Sequence, residues 1–242
     1  MLHNLPWYWS ILFGFLLAEI ATLVTTVYLH RASTHRSIIF GPSASFVSQL
    51  VLWLTTGIKR DEWVAVHLKH HAHTDVPGDP HSPVILGLLP VQLGNFFLYR
   101  KAIRDDKDIV ANYAKHIELS WAERNIFRSP ILGLALGITL LLWALGLVPM
   151  LIVAGAHTLL YVFVLNSLIN GWCHVRGYKN FPGTPAFNNR FIAWFTGGEG
   201  LHNNHHEKPW SPSLRHKPSE VDLGWIFIRF LCFFKLARLA RA

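Results

Sequence analysis

The sequence predicts an all-α integral membrane protein, with about three transmembrane helices, interfacial helices and a cytoplasmic helical cap. Three observations carry this expectation. Of 242 residues, 51% are hydrophobic and only 15% charged, whereas soluble domains carry about 25% charge. Residues 1–30 hold no Lys or Arg and one acid, Glu19, and residues 129–175 hold no Asp, Glu, Lys or Arg at all. All 22 basic residues, against 14 acids for a formal charge of +8, therefore fall outside those two stretches. The composition excludes an ordinary soluble domain and a disordered chain. Two cysteines, Cys173 and Cys232, exclude a disulfide framework and are expected as core or interfacial thiols. Nothing marks a linker, so one domain is expected over 1–242.

The elements follow in order. A bilayer core of about 30 Å takes roughly 20 apolar residues per helix. Residues 5–29 supply the first span, and no A-x-A-like cleavage site follows it, so it is expected to be retained. Residues 46–58 are apolar but short, which predicts an interfacial or half-buried segment. Residues 84–99 are interrupted by Pro90 and Gly94 and are expected on the membrane surface. Residues 100–128 mix charged and apolar positions as a cytoplasmic helix does. The charge-free run supplies spans at 130–148 and 150–170, with a turn at Gly146-Leu147-Val148-Pro149. The tail, 221–241, is basic and amphipathic, suited to lie along the membrane face. Lys and Arg favour the cytoplasmic side. That predicts the N-terminus outside and the C-terminus inside, with the cap formed by 30–128 and 174–242. Because the positive charge maps to one side of a membrane, it is no signal of nucleic-acid binding.

The 15 histidines are more than packing needs. They fall as His30-Arg-Ala-Ser-Thr-His35, as His67-Leu-Lys-His70-His71 and as His202-Asn-Asn-His205-His206. Helix positions i, i+3 and i+4 share a face, so each H-x-x-H-H aims three imidazoles at one point. His174 ends the last span, with Asn170 one turn earlier. All nine lie at the same predicted membrane boundary, which points to a multi-metal centre. Eight or nine ligands exceed what one ion holds, so two ions are implied. Imidazole suits Zn, Cu, Fe and Ni. Glu199 stands three residues before His202, the one Glu-x-x-His match, whereas soluble di-iron carboxylate proteins use two. Glu199 is therefore expected to hold the second ring nitrogen of a ligand. Asp75 and Asp79 are expected either to orient imidazoles or to cap turns.

These boxes, with Asn170-Gly-Trp-Cys-His174-Val-Arg-Gly-Tyr178, resemble the membrane-bound fatty acid desaturases. Gly198-Glu-Gly-Leu-His202-Asn-Asn-His205-His206, Asp222-Leu-Gly-Trp225, Glu62-Trp63 and Asp79-Pro80-His81 resemble the bacterial stearoyl/acyl-CoA branch. The likeness covers about residues 30–229. It implies that His30, His35, His67, His70, His71, His174, His202, His205 and His206 bind two Fe ions, with Asn170 acting through water. It implies O2 as co-substrate, and it leaves Zn as a substitute acquired on purification. The substrate would be a fatty acyl chain on CoA, acyl-carrier protein or lipid. Electrons would come from an external ferredoxin, rubredoxin or b-type cytochrome-like donor and its reductase. The expected location is the bacterial inner membrane, with the active site cytoplasmic. An unactivated methylene offers no acid, base or leaving group, so the cofactor must supply the oxidation. Two departures stand out. One span precedes the first box where many relatives have two, and Val66 stands where acyl-CoA-using members often carry an acid. The second leaves the carrier open.

Glu19, Thr22, Thr26 and His30 fall on one helical stripe. An intramembrane acid is a functional candidate, so this stripe either lines an acyl channel or makes a helix–helix hydrogen bond. Trp63, one turn before His67, either walls that channel or anchors at the membrane surface. His157 precedes His174 by 17 residues, about 26 Å along a helix, and is expected near the outer face, outside the ligand set. His73 and His81 are close enough to the second box to touch ligands or substrate; His3, His116 and His216 are expected at the surface. Competing functions on these residues are a lipid hydroxylase or ketolase on the same scaffold, and a zinc-dependent membrane hydrolase.

Overall fold

A computed structural model describes residues 5–240. The apolar N-terminal stretch forms α1, Trp7–Val24, which continues without a break as a π-helix, Thr25–Thr34. The 18 α-helical residues alone reach about 27 Å, and with the π-helical turns the 28-residue helix is long and apolar enough to cross a bilayer. The second such helix, also 28 residues, comprises α9 (Leu147–Thr158), a π-helical stretch (Leu159–Leu165), α10 (Asn166–Asn170) and a 3-10 turn, Trp172–His174. Small residues seat the two against each other: Gly14, Ala18 and Ala21 on α1 are fully or almost fully buried. A Cβ on Gly14 would stand 2.7 Å from both the Ala156 Cβ and the Val153 carbonyl oxygen. This is the small-residue packing by which apolar helices approach closely. Lower down, Thr25 and Tyr161 share a hydrogen bond of 2.8 Å.

The turn expected at 146–149 is present. α8, Pro130–Leu145, ends at Gly146, whose φ of 80° is a conformation that suits glycine, and Pro149 sits in the first turn of α9. The third expected span is shorter than its neighbours. α8 has 16 residues, about 24 Å, so two helices meet the spanning length and α8 falls short of it.

Between the boxes the chain forms β1 (Ile38–Phe40), α2 (Pro42–Thr55) and α3 (Arg60–Ala72). The segment expected to be interfacial or half-buried is half-buried, wedged along α8. Cβ atoms on Gly133 and Gly137 would come within 2.4 and 2.3 Å of the carbonyl oxygens of Trp53 and Leu54. Its end also reaches α9, where His157 Nε2 donates to the Thr55 carbonyl at 2.8 Å. α4 (Pro83–Leu86) precedes α5, Leu88–Asp105. Pro90 does not interrupt α5, as had been expected, because it falls in the first turn, where no backbone donor is required. Leu89, Leu93, Phe96 and Phe97 of α5 are exposed, consistent with a surface-lying helix.

Two expectations are corrected beyond this point. Residues 100–128 do not form one helix: after α5 come only the short α6 (Ile109–Tyr113) and α7 (Trp121–Asn125), the latter closed by a Ser120–Glu123 capping box. The expectation of a purely α fold is corrected in the tail. α11 (Arg190–Phe195) and α12 (His202–Glu207) lead to α13, Leu223–Phe233, and the chain then turns into β2, Ala237–Leu239. β2 pairs antiparallel with β1, Ile38 opposite Leu239, so the fold is α-helical with one small sheet and is not purely α. Val27, Ile38, Ile228, Leu231 and Ala237 form the core beneath it. That core ties the end of the chain to the segment following the first histidine box.

Candidate metal centre

Each histidine is placed by the local geometry of its element. His30 and His35, five apart, would diverge by about 140° on an α-helix. The π-helix pairs residues five apart, the His35 amide donating to the His30 carbonyl at 3.1 Å, and the two rings lie 4.9 Å apart. α3 presents His67 and His71 on one face and His70 on another, and α12 presents His202, His205 and His206. His174 arrives at the 3-10 end of the second long helix.

The nine side chains meet as two groups. His30, His35, His67, His71 and His205 form one, and His70, His174, His202 and His206 the other; within each, the candidate ligand atoms all lie within 4.8 Å of one another. The contacts are between Nε2 atoms. In the first group His205 lies 3.0 Å from His30 and 2.9 Å from His71, while His67 lies 3.0 Å from His71 and 3.3 Å from His35. In the second, His202 lies 3.0 Å from His174 and 3.2 Å from His206, which stands 3.4 Å from His70. An ion bound by imidazole nitrogens at about 2.0–2.1 Å has neighbouring ligands about 2.9–3.4 Å apart, from octahedral to tetrahedral angles. The observed spacings fit such ions.

Three carboxylates hold the opposite ring nitrogens. His30 Nδ1 donates to Glu199 at 2.8 Å, His174 Nδ1 to Asp75 at 2.9 Å, and His70 Nδ1 to both oxygens of Asp79 at 3.0 and 3.1 Å. A carboxylate can only accept, so these bonds fix the Nδ1–H tautomer and leave Nε2 as a bare lone pair. Burial, and then repulsion among the rings, hold His35, His67, His70, His202, His205 and His206 well below the usual imidazole range, and His71 falls to about 3. These seven rings are thus neutral and electron-donating, as a metal requires. Burial acts to raise the Glu199 carboxyl, but His30 and Arg31 outweigh it and hold Glu199 below its ordinary value.

The other expected residues are distributed unevenly. Thr26 is brought to the site, its hydroxyl donating to Glu199. The buried Glu19 Oε1 and Thr22 Oγ1, on the same stripe, have no hydrogen-bond partner among the described residues. Trp63 stacks on His67 at 4.9 Å and meets His30 edge-on at 6.2 Å, so it walls the first group. Asn170 donates to Asn95 on α5 at 3.1 Å. His81 stacks on His70 at 4.6 Å, whereas His73 turns to the Tyr113 hydroxyl, 3.1 Å away. His157 lies outside both groups. His116 is half-buried against the Ser33 carbonyl, contrary to its expected surface position, His216 is exposed, and His3 lies outside the described residues.

Three supports were not anticipated. The π-helical register, for which H-x4-H itself is the available signal, brings His30 and His35 together. Fully buried Arg31 donates to both oxygens of Asp222 at 3.0 and 2.9 Å and to the Gly197 carbonyl at 2.8 Å, joining the first box, the loop before the third, and the tail. Behind α12, Asn204 donates to Glu220 at 3.0 Å and accepts from Asn188 and Asn180.

The family model described as fatty acid desaturase matches residues 6–218. Among similar proteins, the acyl-CoA C20 Delta5-desaturase of Anemone leveillei is 28% identical over 88% of this chain and 67% of its own length. The sn-1 stearoyl-lipid 9-desaturase of Synechocystis is 29% identical over 88% of this chain and 65% of its own length. The hex-5-enoyl-[acyl-carrier protein] acetylenase of Moorena producens is 30% identical, over 84% and 68%. The chain spans about two thirds of the length of these relatives. With nine converging histidines on a scaffold that contains two membrane-length helices, the chain belongs to the fatty acid desaturase family.

Proposed function

We propose that the chain is a membrane fatty acyl desaturase that uses O2 and two external electrons at a histidine-ligated di-iron centre to place a double bond in an acyl chain. The observation that carries this is the convergence of nine Nε2 atoms into groups of five and four. His30, His35, His67, His71 and His205 would hold one iron, and His70, His174, His202 and His206 the other. Iron bound there would supply the activation of O2 that removes two hydrogens from adjacent methylene carbons. The balance is one alkene and two waters from one saturated pair, one O2, two electrons and two protons.

The chain's own residues bind and orient. Glu199, Asp75 and Asp79 keep His30, His174 and His70 in the tautomer that turns Nε2 inward. Trp63, flat against His67, supplies an apolar wall for a methylene chain. Asn170 acts through water, and burial of His30, His70, His174, His202 and His205 keeps bulk solvent from the site. The substrate element shared by the relatives' names is the acyl group, carried on CoA, lipid or acyl-carrier protein.

Box three and Asp222-Leu-Gly-Trp225 favour the bacterial stearoyl-like branch. We place the N-terminus outside the inner membrane and the histidines on its basic, cytoplasmic side. That side would attract an acidic ferredoxin-, rubredoxin- or cytochrome-like donor. The test is expression in a host followed by mass spectrometry of its lipids, with His205→Ala alongside. A new alkene made by the wild type alone supports the reading. An alcohol product assigns a hydroxylase, and turnover without O2 or reductant overturns the proposal.

A further inference from the structure

A cavity of about 390 Å³ lies between α2, the start of α3 and the segment around α7, and none of the nine histidines lines it. Leu29, Leu52, Trp53 and Phe127 make its apolar wall, and Gln49 Nε2 donates to the Tyr28 hydroxyl inside it at 2.6 Å. Four cations border it, outnumbering two acids, Asp61 and Glu123. Two of the four are neutralised: Lys59 pairs with Glu62 at 2.9 Å, and Arg60 Nε pairs with Glu123 at 2.7 Å. Arg124 and Arg128 are exposed and make no ion pair among the described residues.

The surroundings place these two arginines at an apolar edge. Directly after Arg128 begins α8, with Ile131 80% exposed and Leu132 57% exposed, and Trp121 beside Arg124 is 67% exposed. Phe46 and Val47 of α2 are exposed close to the same cavity wall, the Phe46 ring tilted by 46° against Phe127 at 5.5 Å. Exposed tryptophan and free arginine next to bare aliphatic surface mark a membrane–water boundary, where cations attract anionic lipid. A cavity of this size suits a ligand with an apolar body and a few polar anchors.

We propose that this cavity binds one anionic glycerophospholipid of the bilayer, its phosphate on Arg124 and Arg128 and the first part of one acyl tail against Leu52, Trp53 and Phe127. The site is separate from the metal centre, and its occupancy does not depend on turnover.

The full chain purified in detergent is titrated with phosphatidylglycerol, phosphatidylcholine and glycerol phosphate, read by native mass spectrometry and by thermal stability. Phosphatidylglycerol is expected to bind and stabilise, at least tenfold more tightly than phosphatidylcholine, and glycerol phosphate, which lacks the tail, is expected not to bind. Arg124→Gln with Arg128→Gln should weaken phosphatidylglycerol about 30-fold, the combined effect of two surface cations. The exposed pair Lys208→Gln with Lys217→Gln should stay within about twofold, since screened surface charge at a distance contributes little. Equal binding of both phospholipids, or wild-type binding by the double arginine variant, overturns the proposal. Glycerol phosphate binding as well as the lipid would assign a free-phosphate site and overturn it too.

Discussion

His70 and His71 are consecutive on α3, yet their ligating nitrogens belong to different groups. Their rings are 5.6 Å apart and inclined by 73°; His70 Nε2 faces His206, while His71 Nε2 faces His67 and His205. A helix turns about 100° per residue, so neighbouring positions diverge and one helix can serve two centres. His70→Ala therefore removes a ligand from the group of four, and His71→Ala from the group of five. Each variant is expected to lose turnover and to bind close to one iron per chain in place of two, measured by elemental analysis after reconstitution. His157→Ala should retain both. If His70→Ala and His71→Ala each keep two ions, the two-centre assignment fails.

The carboxylates behind the histidines make a second prediction. Asp75→Asn, Asp79→Asn and Glu199→Gln each replace an acceptor that fixes a ligand's tautomer. Loss of such support costs about 10–100-fold in metal affinity, which competition with a graded chelator series measures. Asp79→Asn should also lower stability, because the same carboxylate accepts the amides of Asp75 at 2.9 Å and His81 at 3.0 Å. Affinities unchanged in all three variants would show that the imidazoles are oriented by packing alone.

Acid should destabilise the metal-free protein, and the sign follows from burial. His35, His67, His70, His71, His202, His205 and His206 are all held below the ordinary imidazole value, His71 at about 3. Unfolding releases them to the value of a solvated imidazole, about 6.5, so the unfolded chain binds more protons. Their contribution is present above about pH 6.5 and is lost as the pH falls towards the folded values. Melting of the stripped protein in detergent should drop steeply between about pH 6.5 and pH 4, with several protons taken up per chain. A flat profile over that window would mean the rings are hydrated in solution.

Much of the site was legible in sequence because it rests on periodicity. H-x-x-H-H brings three rings to one site wherever the helix goes, but α3 and α12 each divide theirs between the two groups, His70 apart from His67 and His71, and His205 apart from His202 and His206. The two long spans were legible because long apolar runs with little or no charge have few alternatives in water. What escaped depends on contacts distant in sequence. No local signal pairs Ile38 with Leu239, 201 residues on, or seats Trp53 and Leu54 against Gly133 and Gly137. The π-helix at Thr25–Thr34 differs from an α-helix in hydrogen-bond register and in the angle between residues, and hydropathy reports burial and neither of these. Asp79 was ambiguous because the same residue type serves caps and imidazoles, and here it serves both.

Asp222 is expected to be the costliest single position outside the histidines. Its side chain accepts Arg31 Nη1 and Nη2 at 3.0 and 2.9 Å, and the amides of Leu214 and Trp225 at 2.8 Å each. Asp222→Asn leaves the Arg31 guanidinium buried with only Glu199, 3.6 Å away, as a charged neighbour. Breaking one partner of a buried pair costs about 3–5 kcal/mol, measurable by denaturant or thermal unfolding in detergent. Arg31→Met with Asp222→Leu should recover part of that loss, because it removes both charges together. A single variant as stable as wild type would show that this pair is hydrated and not enclosed.

The packing of α2 on α8 gives the sharpest contrast between glycines. A Cβ on Gly137 would lie 2.3 Å from the Leu54 carbonyl oxygen, and one on Gly133 would lie 2.4 Å from the Trp53 oxygen and 2.6 Å from its indole ring. Backbone oxygens cannot swing aside as a side chain can, so either methyl must push the helices apart. Overpacking of this kind costs about 1–3 kcal/mol. It also strains the bond by which Trp53 Nε1 donates to the Ser129 carbonyl at 2.8 Å, and so should shift tryptophan fluorescence. Gly94, inside α5, has no heavy atom within 4 Å of where its Cβ would stand. There alanine only reduces the freedom of the unfolded chain, and Gly94→Ala should stabilise by about 0.5–1 kcal/mol. Thermal unfolding of the three alanine variants in one detergent therefore orders them as Gly94→Ala above wild type, and Gly133→Ala and Gly137→Ala below it. If Gly137→Ala melts with the wild type, α2 is not packed against α8.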